Sequence, residues 1–223
     1  MTMSDQAVQR DMYRSNGYVH VSGLVPPEAA MAFLAQLKFV LIRRELDMDS
    51  LRPKVGHRVL RRPASEIYSH DYPPLSALHW GLTPYMATVA GEDLLPTYGY
   101  FRLYREGDVC LVHGDRPACE HSLSLTLAYS ENAPWDLEVA QTPRAADVMR
   151  ADPAFAADDP VVAISMAAGD GVMYRGIEHH HGRTSPNPNT WSAHVFCHWV
   201  ARGGKHADQA FDGQMPPAQV QFY

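Results

Sequence analysis

The chain has 223 residues, 46% hydrophobic and 20% charged, the balance of a globular protein with a sizeable core. Its formal net charge of −6 argues against nucleic acid as the main partner, because phosphate backbones select basic surfaces. No apolar run approaches the ~20 residues a bilayer crossing needs, so no membrane partner is expected. Three cysteines, Cys110, Cys119 and Cys197, show no staple-like spacing and fit a reduced, cytoplasmic setting. The polar first residues carry no signal-peptide pattern.

In chain order, residues 5–15 read as a short polar helix stopped by Asn16-Gly17. Tyr18-Val19-His20-Val21 alternates as a strand. Pro26-Pro27-Glu28 opens a helix that runs to Leu46, with Met31, Phe33, Leu34, Leu37, Val40 and Leu41 at core-facing spacing. Residues 43–62 are locally basic (Arg43, Arg44, Arg52, Lys54, Arg58, Arg61, Arg62), which fits either a solvated loop or a lid attracting an anion. Pro73-Pro74 starts another helix that ends at Gly91.

From residue 94 the pattern changes to short strands broken by turns, expected at 97–105, 109–113, 121–130, 136–140, 161–166, 171–175 and 191–200. Closely spaced strands of this kind indicate a sandwich, jelly roll or barrel. Segment 143–160 interrupts them as a helical or irregular insertion. In the strand at 121–130, His121, Leu123, Leu125, Leu127 and Tyr129 share one face and Ser122, Ser124, Thr126 and Ala128 the other. The leucine face is expected inside. Tyr98, Tyr100, Arg102 and Tyr104 form a row that is either an outer surface or the wall of a polar cavity.

The chemistry concentrates in two stretches. Leu111-Val112-His113-Gly114-Asp115-Arg116-Pro117 places an imidazole and a carboxylate two residues apart, at a strand end. Glu178-His179-His180-His181-Gly182-Arg183 follows the strand Gly171-Val172-Met173-Tyr174 and offers a third ligand. Two histidines and one carboxylate on one face of an ion leave the opposite positions open, the pattern of non-heme Fe(II) oxygenases.

With Tyr104 and Gly107 before His113-Gly114-Asp115, and Gly169-Asp170-Gly171-Val172-Met173-Tyr174 before the histidines, the order over 94–200 resembles the iron(II)/2-oxoglutarate-dependent dioxygenase superfamily, in its prolyl-hydroxylase-like branch. The resemblance implies a mainly β fold with flanking helices, built on a double-stranded β-helix (jelly roll, cupin-like) core. One domain over 1–223 is expected, with N-terminal helical support and a lid region at 1–93, the core at 94–200 and a tail at 201–223. His113, Asp115 and His181 are the implied Fe(II) ligands, with His180 the rival for the third place. The cosubstrates would be 2-oxoglutarate and O2. A hydroxylation of a small-molecule or amino-acid-like substrate, releasing succinate and CO2, is the implied reaction. Asp115 favours hydroxylation over halogenation, which relatives perform with a small residue there.

The far carboxylate of 2-oxoglutarate needs a cation. Relatives carry Arg or Lys where this chain has Thr190 and Trp191, and Arg183 is the nearest replacement, with Tyr104 and Tyr129 lining the pocket. Arg102, Tyr100, Arg116 and Glu120 are the candidates for contact with the primary substrate. Two other readings remain open on the residues alone. One is a cupin-like metal enzyme that does not use 2-oxoglutarate and recruits His121, His194 or His198. The other is a non-catalytic metal-binding module.

Overall fold

The computed structural model describes residues 3–53, 56, 58–144, 151–214 and 219. Three helices, α1 (Met3–Asn16), α2 (Pro27–Arg43) and α3 (Pro73–Ala90), and a first strand β1 (Tyr18–Val21) belong to the N-terminal part. Strand β2 (Ser65–Tyr68) lies between α2 and α3. The remaining strands are β3 (Leu94–Arg105), β4 (Cys110–His113), β5 (His121–Tyr129), β6 (Leu137–Ala140), β7 (Val161–Ile164), β8 (Gly171–Tyr174), β9 (His181–Arg183) and β10 (Trp191–Ala201).

They form a six-stranded sheet in the order β1-β8-β5-β10-β3-β2 and a four-stranded sheet in the order β4-β9-β6-β7, with every neighbour antiparallel. This is the mainly β, double-stranded β-helix architecture with N-terminal helices. The helices stop where local chemistry dictates. Gly17 (φ 79°) closes α1 and Gly91 (φ 78°) caps α3 in the left-handed region that glycine enters without strain. α2 ends at Arg43 instead of continuing to Leu46, because Glu45 turns into the left-handed region (φ 55°). Met31 lies on the exposed side of α2, while Ala30, Leu37 and Leu41 are buried.

The main sheet is covered on both sides, by helices on one face and by the smaller sheet on the other. Every residue of β5 is therefore buried. Leu123, Leu125 and Leu127 pack with Leu37, Leu41, Met86 and Val195 in the helix-side core. The Ser122, Ser124 and Thr126 face is the one turned into the barrel, where these hydroxyls meet Asp115, Arg183 and His194. The leucine face is thus inside the molecule but outside the barrel.

Tyr129 departs from its expected place with the leucines. His194 pairs with Thr126 but Ala193 with Ala128, so Leu127 is an extra residue in β5. A bulge of one residue reverses the side-chain alternation. Tyr129 accordingly joins Tyr104, Trp135 and Phe196 in a second cluster.

Two strands had no clear signature in the sequence. β9 has three residues, and β2 four just beyond the basic stretch. Of the 143–160 insertion, residues 145–150 lie outside the described part. Residues 151–160 are irregular, tied by the Val112–Asp152 bridge and by Arg144 Nε to Asp159 Oδ2 at 3.0 Å.

Candidate metal centre

His113 is the last residue of β4, and β9 places His181 directly across from it. Facing residues of an antiparallel pair project to one side. Their imidazole centroids are 4.4 Å apart. Asp115 follows two residues beyond β4, where its N–H bonds to the Gly176 carbonyl at 2.8 Å. Its Oδ1 stands 3.7 Å from His113 Nε2 and 3.6 Å from His181 Nε2.

Each imidazole is oriented from behind. His113 Nδ1 donates to the Leu111 carbonyl at 2.7 Å and His181 Nδ1 to the His179 carbonyl at 2.9 Å. With the proton on Nδ1, each Nε2 offers a lone pair toward Asp115. Ligand atoms about 2.0–2.2 Å from one ion stand roughly 3–3.6 Å apart, so a small closure completes the set.

Burial holds both imidazoles neutral, with His113 lowered to about 3 and His181 to about 4. Burial also pushes Asp115 up to about 6, against the pull of His113 and the hydrogen bond from Ser122 Oγ at 3.1 Å. A divalent cation would supply the positive charge this carboxylate lacks. These residues fit such an ion in charge, donor type and reach.

The neighbouring histidines are used otherwise. His179 Nδ1 donates to the Ala140 carbonyl at 2.8 Å, and its ring fills the space beside Gly17, where a Cβ would sit 2.0 Å from Nε2. His180 flanks Gly114, and strand alternation turns it away from the face His181 occupies. His121 bonds Tyr13 Oη through Nδ1 at 2.8 Å, remote from the His113–His181 face. His194 and His198 lie in the barrel on Thr126 and Ser122.

A cavity of about 210 Å³ opens over His113 and Asp115, walled by Tyr98, Tyr100, Arg102 and Arg116 with Tyr68 and Val59 at its side. Tyr98, Tyr100 and Arg102 of the row therefore supply a polar cavity wall, while Tyr104 is buried beside Trp135. A larger groove of about 440 Å³ lies between α2 and the helix-side face of β3 and β10. Its walls include Leu34, Leu37, Leu41 and Phe101, and none of His113, Asp115 and His181 lines it.

Arg183, one alternation beyond His181 on the same face of β9, is 1% exposed. It donates to the Trp135 carbonyl, lies 5.1 Å over the Trp135 ring and reaches Ser124 Oγ at 3.5 Å. Among the described residues no carboxylate pairs with it. Tyr104 is buried, receives Arg102 Nη1 at 2.9 Å and meets Trp135 edge-on at 4.8 Å. Tyr129 Oη is buried with no hydrogen-bond partner.

His194 sits 5.6 Å from Tyr104 and 5.7 Å from Tyr129, and its Nε2 is likewise buried without a partner. The sequence named His194 only as an extra metal ligand. Its period-two spacing with Phe196 and His198 is the signal that would have placed it in the barrel. Ser122 and Gly176, which steady Asp115, carried no such signal.

Of the residues considered for substrate contact, Tyr100, Arg102 and Arg116 reach the cavity. Arg102 does so as one half of a buried ion pair, its Nε 2.7 Å from Glu66 Oε1. Glu120 is outside the cavity lining and instead accepts the Ala201 N–H at 2.9 Å. The three cysteines are free and buried, and no helix among the described residues is long and apolar enough to cross a membrane.

No protein-family model and no curated protein sequence matches the chain. Solved structures do. A non-heme α-ketoglutarate-dependent carbocyclase, SnoK from nogalamycin biosynthesis, is similar at TM-score 0.67 and 16% identity, over 90% of this chain and 84% of that one. A Pseudomonas putida prolyl-4-hydroxylase aligns at TM-score 0.59 and 16% identity, over 89% of this chain and all (100%) of the other. HygX from Streptomyces hygroscopicus, solved with nickel, 2-oxoglutarate and hygromycin B, aligns at TM-score 0.64 and 13% identity, over 91% and 88%. The chain has the fold of the non-heme, 2-oxoglutarate-dependent enzymes. At such identities the likeness concerns the fold, and the activity is argued from the residues.

Proposed function

We propose that the protein is an Fe(II)/2-oxoglutarate-dependent oxygenase that hydroxylates a small molecule and releases succinate and CO2. The observation that carries the reading is the set His113, Asp115 and His181, gathered on one side of the cavity with both Nε2 atoms free and three protein ligands in all. Fe(II) bound there would supply open positions for 2-oxoglutarate and O2 and the oxidising power for attack on a C–H bond. The protein's part is to hold neutral imidazoles by Leu111 and His179, to fix the carboxylate by Ser122 and to keep water from the barrel. HygX, which shares the fold, was solved with a small-molecule ligand, in keeping with this substrate class.

Arg183 is the proposed partner of the distal carboxylate of 2-oxoglutarate, with Tyr104, Tyr129 and His194 around it. A buried guanidinium without an anion is costly, by several kcal/mol. Arg102 borders the open cavity more directly, but Glu66 already neutralises it. Two unpartnered polar atoms, Tyr129 Oη and His194 Nε2, lie on the Arg183 side. The cupin-like reading would draw His194 or His198 to the metal: His194 lies instead among Tyr104, Tyr129 and Trp135, while His198, whose Nδ1 meets Ser122 Oγ, forms a second candidate ligand group with Asp115 and Cys119.

The test is O2-dependent release of succinate from 2-oxoglutarate by the iron-loaded protein. Turnover is expected in the parent and lost in His113→Ala, Asp115→Ala and His181→Ala. Arg183→Ala should retain iron and need roughly ten- to hundredfold more 2-oxoglutarate, the loss of a charge-assisted bond. Iron-loaded parent protein that forms no succinate contradicts the reading. Unchanged 2-oxoglutarate dependence in Arg183→Ala moves the anchor to Arg102.

A further inference from the structure

The loop that carries Asp115 gathers a second group of ligand side chains. Cys119 ends the short 3-10 turn Pro117–Cys119, and His198 of β10 stands in register with Ser122 of β5. One nitrogen of His198, Cys119 Sγ and a carboxylate oxygen of Asp115 all lie within 4.8 Å of one another. Asp115 thus belongs to two sets. Its Oδ1 faces His113 and His181, while its Oδ2 takes Ser122 Oγ at 3.1 Å. Cys119 and His198 are both buried, at 1% and 3% exposure.

The fold leaves bonding capacity on both new members. His198 Nδ1 meets Ser122 Oγ at 2.9 Å, but its Nε2 is buried with no hydrogen-bond partner among the described residues. Buried polar atoms are rarely left in that state without a reason. Cys119 is a free thiol, and its Sγ lies 3.2 Å from Tyr98 Oη, a hydroxyl from which a thiolate accepts a hydrogen bond. Tyr98 and Asp115 line the cavity, so both sets border one opening.

We propose that Asp115, Cys119 and His198 form a second metal site, for a thiophilic divalent ion such as Zn(II), and that its occupation excludes iron from the first. A thiolate, an imidazole and a carboxylate are donors that Zn(II) takes in tetrahedral sites. Cys119 binds as the thiolate and releases its proton to solvent. The set then carries two negative charges and neutralises the ion, where the set with His113 and His181 carries one. Ligands at about 2.0–2.3 Å around a tetrahedral ion stand roughly 3.3–3.8 Å apart, so the side chains close by about 1 Å. Two dications on one carboxylate repel each other across a few ångströms, so one ion at a time holds Asp115. The exclusion of iron rests on the proposed Fe(II) site; the second site stands on its own residues.

The probe is Cd(II), which takes the same donors and reports a bound thiolate by a charge-transfer band in the ultraviolet. It is titrated anaerobically into the metal-free protein, with thermal melts of every variant alongside. The parent should show the band, and Cys119→Ser should abolish it. His198→Gln, close in size to the imidazole, should weaken Cd(II) at least roughly tenfold, the scale on which even an outer partner of a ligand counts. Cys197→Ser, whose thiol lies in the helix-side core, and His113→Ala should both keep the band. Fe(II) affinity is then measured against a chelator with one equivalent of Zn(II) present. Zn(II) also competes for His113 and His181 directly, so the share owed to the second site is the part that Cys119→Ser removes.

A parent without the band overturns the proposal, as does a band that survives in Cys119→Ser. A band lost in a folded His113→Ala overturns it too, by making Cys119 a member of the first set. Zn(II) that depresses iron binding equally in the parent and in Cys119→Ser refutes the exclusion. A Cys119-dependent band in a protein that forms no succinate upholds the second site and refutes the oxygenase reading alone.

Discussion

Gly176 closes the proposed metal site from behind Asp115, and its replacement by alanine tests the geometry directly. A Cβ at this position would stand 2.3 Å from Asp115 Oδ2, 2.6 Å from Ser122 Oγ and 2.8 Å from the Cys119 carbonyl oxygen. Contacts this short are not tolerated, and the neighbours have little room to yield. Ser122 Oγ is tied to Asp115 Oδ2 at 3.1 Å, and the Gly176 carbonyl itself receives the Asp115 N–H at 2.8 Å. The carboxylate must swing away, giving up the Ser122 bond and drawing Oδ1 off the two imidazoles.

Overpacking of this kind costs about 1–3 kcal/mol of stability. A chain of this length loses roughly 2–4 °C in Tm per kcal/mol. Loss of a hydrogen bond to a charged group is worth about 1.5–3 kcal/mol and falls on the metal site, so Fe(II) affinity should drop roughly ten- to hundredfold. The assay is anaerobic Fe(II) titration against a competing chelator, with a thermal melt alongside. Gly203→Ala, where nothing lies within 4 Å of the new Cβ, is the control and should change neither quantity. Parental iron affinity in Gly176→Ala would refute Asp115 as a ligand held by this close backbone approach.

The turn before β8 gives a prediction in pH. Asp170 accepts the N–H groups of Gly23 at 2.8 Å and Ala167 at 3.0 Å. Burial alone would raise its pKa, but those hydrogen bonds, with His20, lower it on balance. A depressed carboxylate stabilises the fold above its unfolded value, near 3.8, and that share is lost as pH falls through the lower folded value. Asp170→Asn should therefore cost about 1–3 kcal/mol at neutral pH, with the gap to the parent closing in acid denaturation below that point. A gap that persists there contradicts the account. Val59 lines the cavity and its carbonyl accepts the Leu111 N–H at 2.8 Å, so the basic stretch 43–62 borders the site. If it acts as a lid, Fe(II) with 2-oxoglutarate should slow tryptic cleavage within it. Equal cleavage with and without them leaves a loop.

Much of this molecule is legible in the residues. The Asn16-Gly17 and Gly91 stops, the proline-led helices and the alternation from residue 94 onward report local rules that the tertiary structure leaves in force. His113-Gly114-Asp115 at a strand end was readable for the same reason. What escaped depends on contacts distant in sequence. The leucine face of β5 is buried as expected, but so is its serine face, because a two-sided sheet makes both faces interior. The alternation alone does not say which one borders a polar barrel. Tyr129 was misassigned because the bulge at Leu127 leaves no mark in the sequence. β9 is too short to show a period, and only its register against β4 separates His181 from His180.

The measurement that bears most directly on the central claim is the anaerobic titration of the iron-loaded parent with 2-oxoglutarate, followed by the metal-to-ligand charge-transfer band. The band should appear and saturate at one 2-oxoglutarate per iron, and should be absent in His181→Ala. Iron bound through His113, Asp115 and His181 without any such band would contradict the account and leave a metal protein that does not use 2-oxoglutarate.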